Sequence, residues 1–379
     1  MMKGCDMPNP FTLRVIPPDS PFCNRVDEQN ELFAHAKNKA NVVLFSPRRY
    51  GKTSLIKRLQ ADLAAQKFFT IYVDFFMATS ENDIAGRIAK SIYTPIHERE
   101  SLLDKGVRFL KIFKTFRPVF KPSPESGFSF SVELVESGLS GIDLVDKVME
   151  ELGLFIRKEE VMAHVVFDEF QEITELKDSS IEGVLRKHIQ EHQASYFFVG
   201  SRRRTLLDIF NQKKRPFYQS AIIYPLKPLP HEELAEFLAK RFKDGGKKCT
   251  RDIAAAISEK VRQYPYYAQA LAYNIYEVSG RTVKEQDIET GFQNLIASER
   301  YGYEAIVQGL TGPQISLLRA IAKDPAAKIL TAGYLERHRL SLGGVQYARR
   351  KLEKLDLIEK HNNVWRIVDP VFGKWLSMF

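Results

Sequence analysis

The chain has 379 residues with a hydrophobic fraction of 44%, and its 56 Lys and Arg against 47 Asp and Glu give a formal net charge of +9. No apolar run reaches the roughly 18 residues that a membrane span needs, the polar N-terminus does not read as a secretion signal, and the three cysteines are too scattered for a disulfide framework or a zinc site. These features exclude membrane and disulfide-rich secreted classes and predict a cytoplasmic protein of two or three domains, whose mild basicity permits contact with nucleic acid without establishing it.

The first half of the chain alternates short apolar runs with longer amphipathic stretches. Helical patterns such as Lys52–Gln66 and Ile181–His192 lie between the apolar runs. Alternation of this kind is typical of a parallel sheet covered by helices on both faces, which predicts an α/β fold. The apolar runs predict buried strands at Asn41–Phe45, Phe69–Asp74, His164–Phe167, Tyr196–Gly200 and Ile222–Tyr224.

A long stretch, Glu98–Ser140, separates the second and third predicted strands. Its middle, Arg117–Gly127, is rich in proline, serine and glycine, which indicates a surface insertion. We expect a hairpin around Phe128–Leu134.

Strand signals stop after Pro228, and the second half begins with a run of helical patterns. These patterns predict a small helical lid domain. They cover His231–Lys243, Arg251–Tyr264, Pro265–Val278 and Glu285–Ala297.

The last part of the chain, Thr311–Phe379, has a different pattern. Helices are predicted at Gln314–Lys323, Ala332–Arg339 and Gly344–Leu355, and a hairpin at Leu357–Lys360 and Val364–Ile367 turns at Asn362–Asn363. Helices followed by a hairpin are typical of a winged helix-turn-helix. We therefore expect domains at 1–228, 229–298 and 299–379, with only the short segment Ser298–Leu310 joining the lid to the winged helix.

The segment Ser46–Ser54, SPRRYGKTS, follows a predicted strand and opens a predicted helix, as a Walker A phosphate-binding loop does. In such loops, backbone N–H groups at a helix N-terminus surround the β-phosphate. Gly51 would allow close approach, Lys52 would contact the β- and γ-phosphates, and the Thr53 hydroxyl would bind Mg²⁺. The motif's first glycine is Ser46 here. The predicted ATP-binding residues are Ser46, Pro47, Arg48, Arg49, Tyr50, Gly51, Lys52, Thr53 and Ser54.

A second acidic motif ends the third predicted strand, where Asp168 and Glu169 follow an apolar run. Ligands of open α/β sheets bind at the carboxyl edge of the strands, so both carboxylates are expected beside the phosphate-binding loop. Asp168 would hold Mg²⁺, and Glu169 would act as general base on the attacking water.

Polar and basic residues follow the next predicted strand. Ser201 is a candidate catalytic sensor between the acidic strand and the loop, with a helix N-cap as the alternative. Among Arg202, Arg203 and Arg204, one could stabilise transition-state charge, while a solvated basic cluster is the plainer interpretation for at least two of them. Arg48 and Arg49 are expected to point outward, where one could reach a phosphate or a neighbouring domain.

These motifs together resemble the archaeal-type ATPase family, a STAND branch of the AAA-like P-loop NTPases. Ser46–Ser54 resembles its G-P-R-R-x-G-K-T-S loop, Phe167–Gln171 its D-E-x-Q box and Val199–Ser201 its G-S strand end. Phe22–Glu28 resembles its F-x-x-R-x-x-E box, which implies that Arg25 lies at the adenine.

The resemblance extends to the C-terminal half. Tyr264–Pro265 resembles the lid's G-x-P motif without its glycine, which implies a contact between Pro265 and the base. Val368–Leu376 resembles the D-P-x-F-x-x-W ending of the family's winged helix. The family implies a P-loop NTPase sheet of the ASCE type with a helical lid and a winged helix, which switches with ATP and Mg²⁺.

Three functions follow from these features. The first is an ATPase switch that rearranges its domains and works with an unidentified protein partner. The sequence is compatible with an oligomer but does not determine the oligomeric state. The second is an ATP-regulated DNA-binding protein, in which Arg349, Arg350 and Lys351 lie on the recognition helix. The third is a kinase or transferase, which the pair Asp168–Glu169 disfavours because a base beside the magnesium aspartate suits water activation.

Overall fold

The computed structural model describes residues 7–99, 112–123, 127–135, 138–176 and 180–379. The chain divides into two compact units. The sheet unit comprises Val26–Ser46 and Lys52–Leu226, and the helical unit comprises the residues up to Arg25, Pro47–Gly51 and Lys227–Phe379. The Walker A segment therefore contributes residues to both units.

The sheet unit is built around a parallel sheet with the strand order β2-β5-β6-β1-β7. The five predicted strands are present, but the expected burial of the last one is wrong, because β7 lies at the edge of the sheet and leaves Ile222 and Ile223 exposed. Every residue of β5 and β6 is buried, which explains their unbroken apolar runs. In chain order the strands of this unit are β1 Val42–Phe45, β2 Phe69–Asp74, β3 Phe116–Ser123, β4 Gly127–Leu134, β5 Ala163–Asp168, β6 Ala194–Gly200 and β7 Ile222–Pro225.

Helices cover this sheet and bury their apolar stripes against it. The helix that follows β1 buries Leu55, Ile56 and Leu59. A short 3-10 helix, Phe170–Glu175, follows β5. The α-helices are α1 Val26–Lys37, α2 Lys52–Ala65, α3 Glu81–Arg99, α4 Ile142–Lys158, α5 Ile181–Glu191 and α6 Arg203–Asn211.

The insertion after β2 contains more regular structure than the sequence indicates. The expected hairpin is present, but its first strand is β3, inside the stretch interpreted as a proline-rich loop. Pro118 and Pro122 fit because an isolated two-stranded hairpin tolerates residues that cannot donate a backbone hydrogen bond. The buried Glu151 carboxylate anchors the insertion, accepting hydrogen bonds from the amides of Lys114 (2.9 Å) and Thr115 (3.0 Å).

The helical unit begins with α7 His231–Asp244, α8 Arg251–Lys260, α9 Pro265–Val278 and α10 Glu285–Gln308. Two predicted boundaries were wrong. The second helix ends at Lys260 rather than Tyr264, because Arg262 and Gln263 adopt φ angles of 51° and 54° that no α-helix can include. The fourth helix runs to Gln308, so the predicted connecting segment is helical.

The winged helix follows directly, with α11 Gly312–Lys323, α12 Ala332–Arg337, α13 Leu342–Lys354, β8 Ile358–His361 and β9 Val364–Ile367. Asn362 and Asn363 both have positive φ, as a two-residue hairpin turn of type I′ requires. A further helix, α14 Pro370–Leu376, was not predicted. Its N-cap, Asp369, accepts hydrogen bonds from the amides of Val371 and Phe372, each at 2.9 Å.

The helical unit has one continuous core that includes both the lid helices and the winged helix. Tyr303 of α10 packs against Phe372 and Trp375 of α14, with ring centroids 5.0 and 5.7 Å apart. Phe11 from the N-terminal segment packs against Phe242 at 4.7 Å. The proposed boundary between 298 and 299 thus lies inside a helix, and the two C-terminal modules pack as one body.

Candidate functional site

Lys52 begins α2 and lies buried in the sheet unit with Ser46 and Ser54. Its ammonium donates a hydrogen bond to the Ser46 carbonyl oxygen at 3.1 Å and lies 3.4 Å from the Ser46 hydroxyl. Serine at the motif's first glycine position carries no backbone strain, because the positive φ angles of this segment belong to Arg49 (65°) and Gly51 (86°).

The two predicted metal ligands come together in the sheet unit. Thr53 Oγ1 lies 3.4 Å from Asp168 Oδ2. Asp168 Oδ1 accepts the amide of Glu169 at 2.9 Å. Strand β6 lies between β1 and β5, so Asp168 reaches the start of α2 from two strands away. Burial raises the pKa of Asp168, and a hydrogen bond from Tyr72 opposes that rise.

Tyr72 was missed by the sequence analysis. Its hydroxyl donates a hydrogen bond to Asp168 Oδ2. Burial, and then the Asp168 charge, raise the pKa of Tyr72, so the phenol stays a proton donor at neutral pH. Only the pairing of β2 with β5 brings the two residues together, and no sequence motif reports that pairing.

Two of the three predicted catalytic residues, Glu169 and Ser201, are in direct contact, and the third is Lys52. The Ser201 hydroxyl donates to the Glu169 carboxylate, 3.0 and 2.9 Å from its two oxygens. The alternative role of Ser201 as a helix cap is wrong, since α6 has Arg202 as its N-cap and no side-chain cap bond. Glu169 itself has a left-handed backbone with φ of 50°, which turns it away from the strand direction.

Gln171 completes this polar cluster. It is fully buried and donates a hydrogen bond from its side-chain amide to Glu169. Gly200, at the end of β6, leaves the space that the Gln171 side chain occupies: a Cβ atom there would collide with Gln171 Oε1 and lie 3.1 Å from Leu206 Cδ2. The resemblance contains both residues, but their mutual contact was not predicted.

The arginines after β6 do not form a uniform solvated cluster. Arg202 binds the 3-10 helix through ion pairs with Glu172 at 2.6 Å and Glu175 at 2.8 Å. An arginine-finger role for Arg202 would require breaking both pairs. Arg203 and Arg204 begin α6.

The other predicted binding residues lie in the helical unit. Arg25 is 3% exposed, although it is an arginine. The Tyr50 ring packs edge-on against Tyr264 at 4.7 Å, next to Pro265, the first residue of α9. Arg49 is exposed, as expected from sequence, and its guanidinium forms an ion pair with Glu299 at 2.9 Å. Pro47 is buried and Arg48 is exposed.

The basic residues of α13 have different surroundings. Arg350 and Lys351 are exposed. Arg349 instead pairs with Glu353 at 3.6 Å and lies over the Trp365 ring at 5.6 Å. The grouping of all three on a surface for DNA is therefore wrong for Arg349, which packs onto its own domain.

Comparison with known proteins identifies the architecture. A family model described as a probable winged helix domain matches residues 301–378. The fold is similar to that of a Walker-type ATPase of Pyrococcus abyssi, with 17% identity, 97% of this chain and 99% of that chain covered, and a TM-score of 0.71. It is also similar to the ORC2 protein of Aeropyrum pernix in ADPNP–ADP complexes, with 17% identity, coverage of 98% and 96%, and a TM-score of 0.62.

None of the curated proteins matches the chain. Within the described residues, no helix is both long and apolar enough to cross a membrane. The parallel sheet, the helices and the C-terminal winged helix all agree with the solved relatives in fold. The chain thus has a P-loop NTPase fold with a C-terminal winged helix, the fold that its resemblance to the archaeal-type ATPases implies.

Proposed function

We propose that the protein is an ATP-binding and ATP-hydrolysing switch, in which nucleotide state controls the lid and the winged helix. The observation that carries this proposal is the meeting of Thr53 with Asp168 and of Glu169 with Ser201 at one edge of the sheet, beside the buried Lys52. These are the side chains that phosphate binding, metal binding and water activation require.

The chain's own residues fit MgATP. Gly51 has a φ of 86° with nothing within 4 Å of a Cβ position, so the backbone there is open to a close approach. Lys52 would neutralise phosphate charge, and Thr53 and Asp168 would hold Mg²⁺. When bound, MgATP supplies the phosphoanhydride bond that is hydrolysed.

Glu169 is the proposed general base, and Ser201 and Gln171 are its positioning residues. Both donate hydrogen bonds to its carboxylate, which fixes the carboxylate while leaving lone pairs for a water molecule. This arrangement favours hydrolysis over transfer to a second substrate. We further propose membership of the STAND class, a cytoplasmic location and a protein partner that triggers the switch.

The test of ATP binding is calorimetry on Lys52→Ala. Removing a buried ammonium from the phosphate-binding turn should weaken MgATP binding by at least about 100-fold, because a charge-assisted contact to phosphate contributes roughly 3 kcal/mol. Lys37→Ala, at an exposed position of α1, is the control and should bind as the wild type does. Equal affinities in the wild type and Lys52→Ala would show that this segment does not bind the nucleotide.

DNA binding by the winged helix is a second candidate function. The observation in its favour is the exposed row on α13, where Tyr347 is 70% exposed and is followed by Arg350 and Lys351. A recognition helix needs such a face toward DNA. It would act in addition to the ATPase, since it uses a separate surface of the helical unit.

A further inference from the structure

Arg49 lies inside the Walker A segment but belongs, with Pro47–Gly51, to the helical unit. Its φ of 65° is in the left-handed region, which residues other than glycine seldom adopt. Its carbonyl oxygen accepts the amide of Tyr266 at 3.3 Å. The conformation of the loop at this point therefore depends on the contacts that hold Arg49.

The Arg49 guanidinium makes three such contacts. It pairs with Glu299 of α10 at 2.9 Å, donates to the Tyr267 hydroxyl at 2.7 Å and lies over the Tyr266 ring, 4.4 Å from its centroid. The Tyr266 hydroxyl donates to the same Glu299 carboxylate at 3.2 Å. One side chain of the loop thus contacts both α9 and α10.

The contacts continue to the winged helix. The Tyr267 hydroxyl accepts from Arg49 and donates its single proton to Asp369, whose other oxygen caps α14. In this series of hydrogen bonds each donor has a matching acceptor: the series begins at a guanidinium, passes through a phenol and ends at a carboxylate. The charges at its two ends strengthen the hydrogen bonds. The Tyr303 hydroxyl also lies 3.3 Å from that of Tyr267.

We propose that Arg49, held by Glu299, is a positioning residue that couples the nucleotide-binding loop to the cap of α14 through Tyr267 and Asp369. The inference rests on the proposed binding of ATP. Arg49 acts on the loop from the helical unit rather than by touching phosphate, because its guanidinium is already engaged by a carboxylate, a phenol and an aromatic face. The side chain is 39% exposed, so its effect is modest in size.

A double-mutant cycle on MgATP affinity separates the two roles. Arg49→Ala should weaken binding about fivefold, because the loop loses the contacts that hold its left-handed residue. In the Glu299→Gln background the same change should weaken binding by less than about twofold. Glu304→Gln, five positions further along α10 at a carboxylate that pairs with Arg300, supplies the control cycle, in which the two effects add.

The far end of the network is read by hydrogen exchange at the amides of Val371 and Phe372. In the wild type, a non-hydrolysable ATP analogue with Mg²⁺ should slow their exchange by about threefold or more, and in Tyr267→Phe it should leave their exchange unchanged. A purely structural role of Tyr267 would alter the exchange without nucleotide but keep the response to it.

The outcomes are distinct. If Arg49→Ala has no effect on affinity, or weakens it equally with and without Glu299, or if the cap amides of the wild type and Tyr267→Phe respond alike, the coupling is overturned while ATP binding stands. If the wild type binds MgATP no better than Lys52→Ala, the proposed function fails first. Loss of the Arg49 effect in the Glu299→Gln background, together with loss of the cap response, supports the coupling.

Discussion

The two units use the same Walker A segment in different ways. In the sheet unit, its ends meet buried polar groups: Lys52 lies at the Ser46 carbonyl and Thr53 at Asp168. In the helical unit, its middle is held by partly exposed aromatic and ionic contacts around Arg49. The difference indicates that the proposed ATP chemistry rests on buried groups at strand ends and at the start of α2, whereas the contacts proposed to respond to nucleotide are more solvent-exposed.

The rigidity of the sheet unit is tested most severely by Gly200→Ala. The added methyl group collides with Gln171 Oε1, so we expect a loss of about 2–3 kcal/mol in the free energy of unfolding and a displaced Glu169. Urea denaturation measures the loss. Gly183→Ala is the matched control, since a Cβ there meets nothing within 4 Å and a helical alanine should be neutral or stabilising. Equal stabilities of the two variants would mean that the site is not tightly packed.

The exclusion of water from the core of the sheet unit can be tested through the pH dependence of stability, because His164 is fully buried there. Burial of His164 lowers its pKa to about 3, whereas an unfolded histidine titrates near 6.5. Below pH 6.5 the unfolded chain therefore binds a proton at His164 that the folded chain does not bind, so the free energy of unfolding decreases as the pH falls. Between pH 8 and pH 5, His164 alone should lower the free energy of unfolding by about 2 kcal/mol.

In His164→Phe that part of the acid loss should disappear, so the decrease in stability from pH 8 to pH 5 should be about 2 kcal/mol smaller than in the wild type. His361→Gln, at an exposed position of β8, is the control and should keep the wild-type profile. Parallel pH profiles for the wild type and His164→Phe would show that His164 is solvated in the folded protein.

The exposed basic residues of α13 in the helical unit allow a test of DNA binding. If its outer face contacts DNA phosphates, Arg350→Ala with Lys351→Ala should weaken binding about tenfold and reduce the slope of log affinity against log salt by nearly two. Folding stability should stay within about 0.5 kcal/mol of the wild type. Fluorescence anisotropy over a salt series measures both quantities.

Arg349→Ala gives the contrast, because Arg349 packs on Trp365 and pairs with Glu353. It should lower stability by about 1 kcal/mol and leave the salt slope unchanged. If the slope of log affinity against log salt is the same in all variants, the outer face of α13 does not contact DNA phosphates, and the winged helix would serve to support the lid helices instead.

The sequence predicted most of the sheet unit because its signals are local. Fully buried strands give unbroken apolar runs, and Asp168, Glu169 and Ser201 each stand where such a run ends. The strand β3 was missed because Pro118 and Pro122 cannot donate backbone hydrogen bonds and normally interrupt strands. A two-stranded sheet such as β3–β4 tolerates them.

The contacts that complete the site were not predictable in the same way. Tyr72 meets Asp168 through strand pairing, and Arg49 meets Glu299 across 250 residues of chain through helix packing. The extension of α10 beyond Ala297 was missed because its last turns expose polar residues and Tyr301, which leaves little apolar periodicity. Long-range packing, rather than residue type, decides these features.

Glu169, held by Ser201 and Gln171, is proposed to activate water in an ATP site. Phosphate release under single-turnover conditions, from the wild type and Glu169→Gln at equal MgATP occupancy, tests it most directly, with Glu191→Gln at an exposed position of α5 as the control. We expect Glu169→Gln to bind MgATP as tightly as the wild type and to release phosphate at least about 100-fold more slowly, because an amide cannot take the proton of water. Phosphate release at the wild-type rate by Glu169→Gln would show that Glu169 is not the general base.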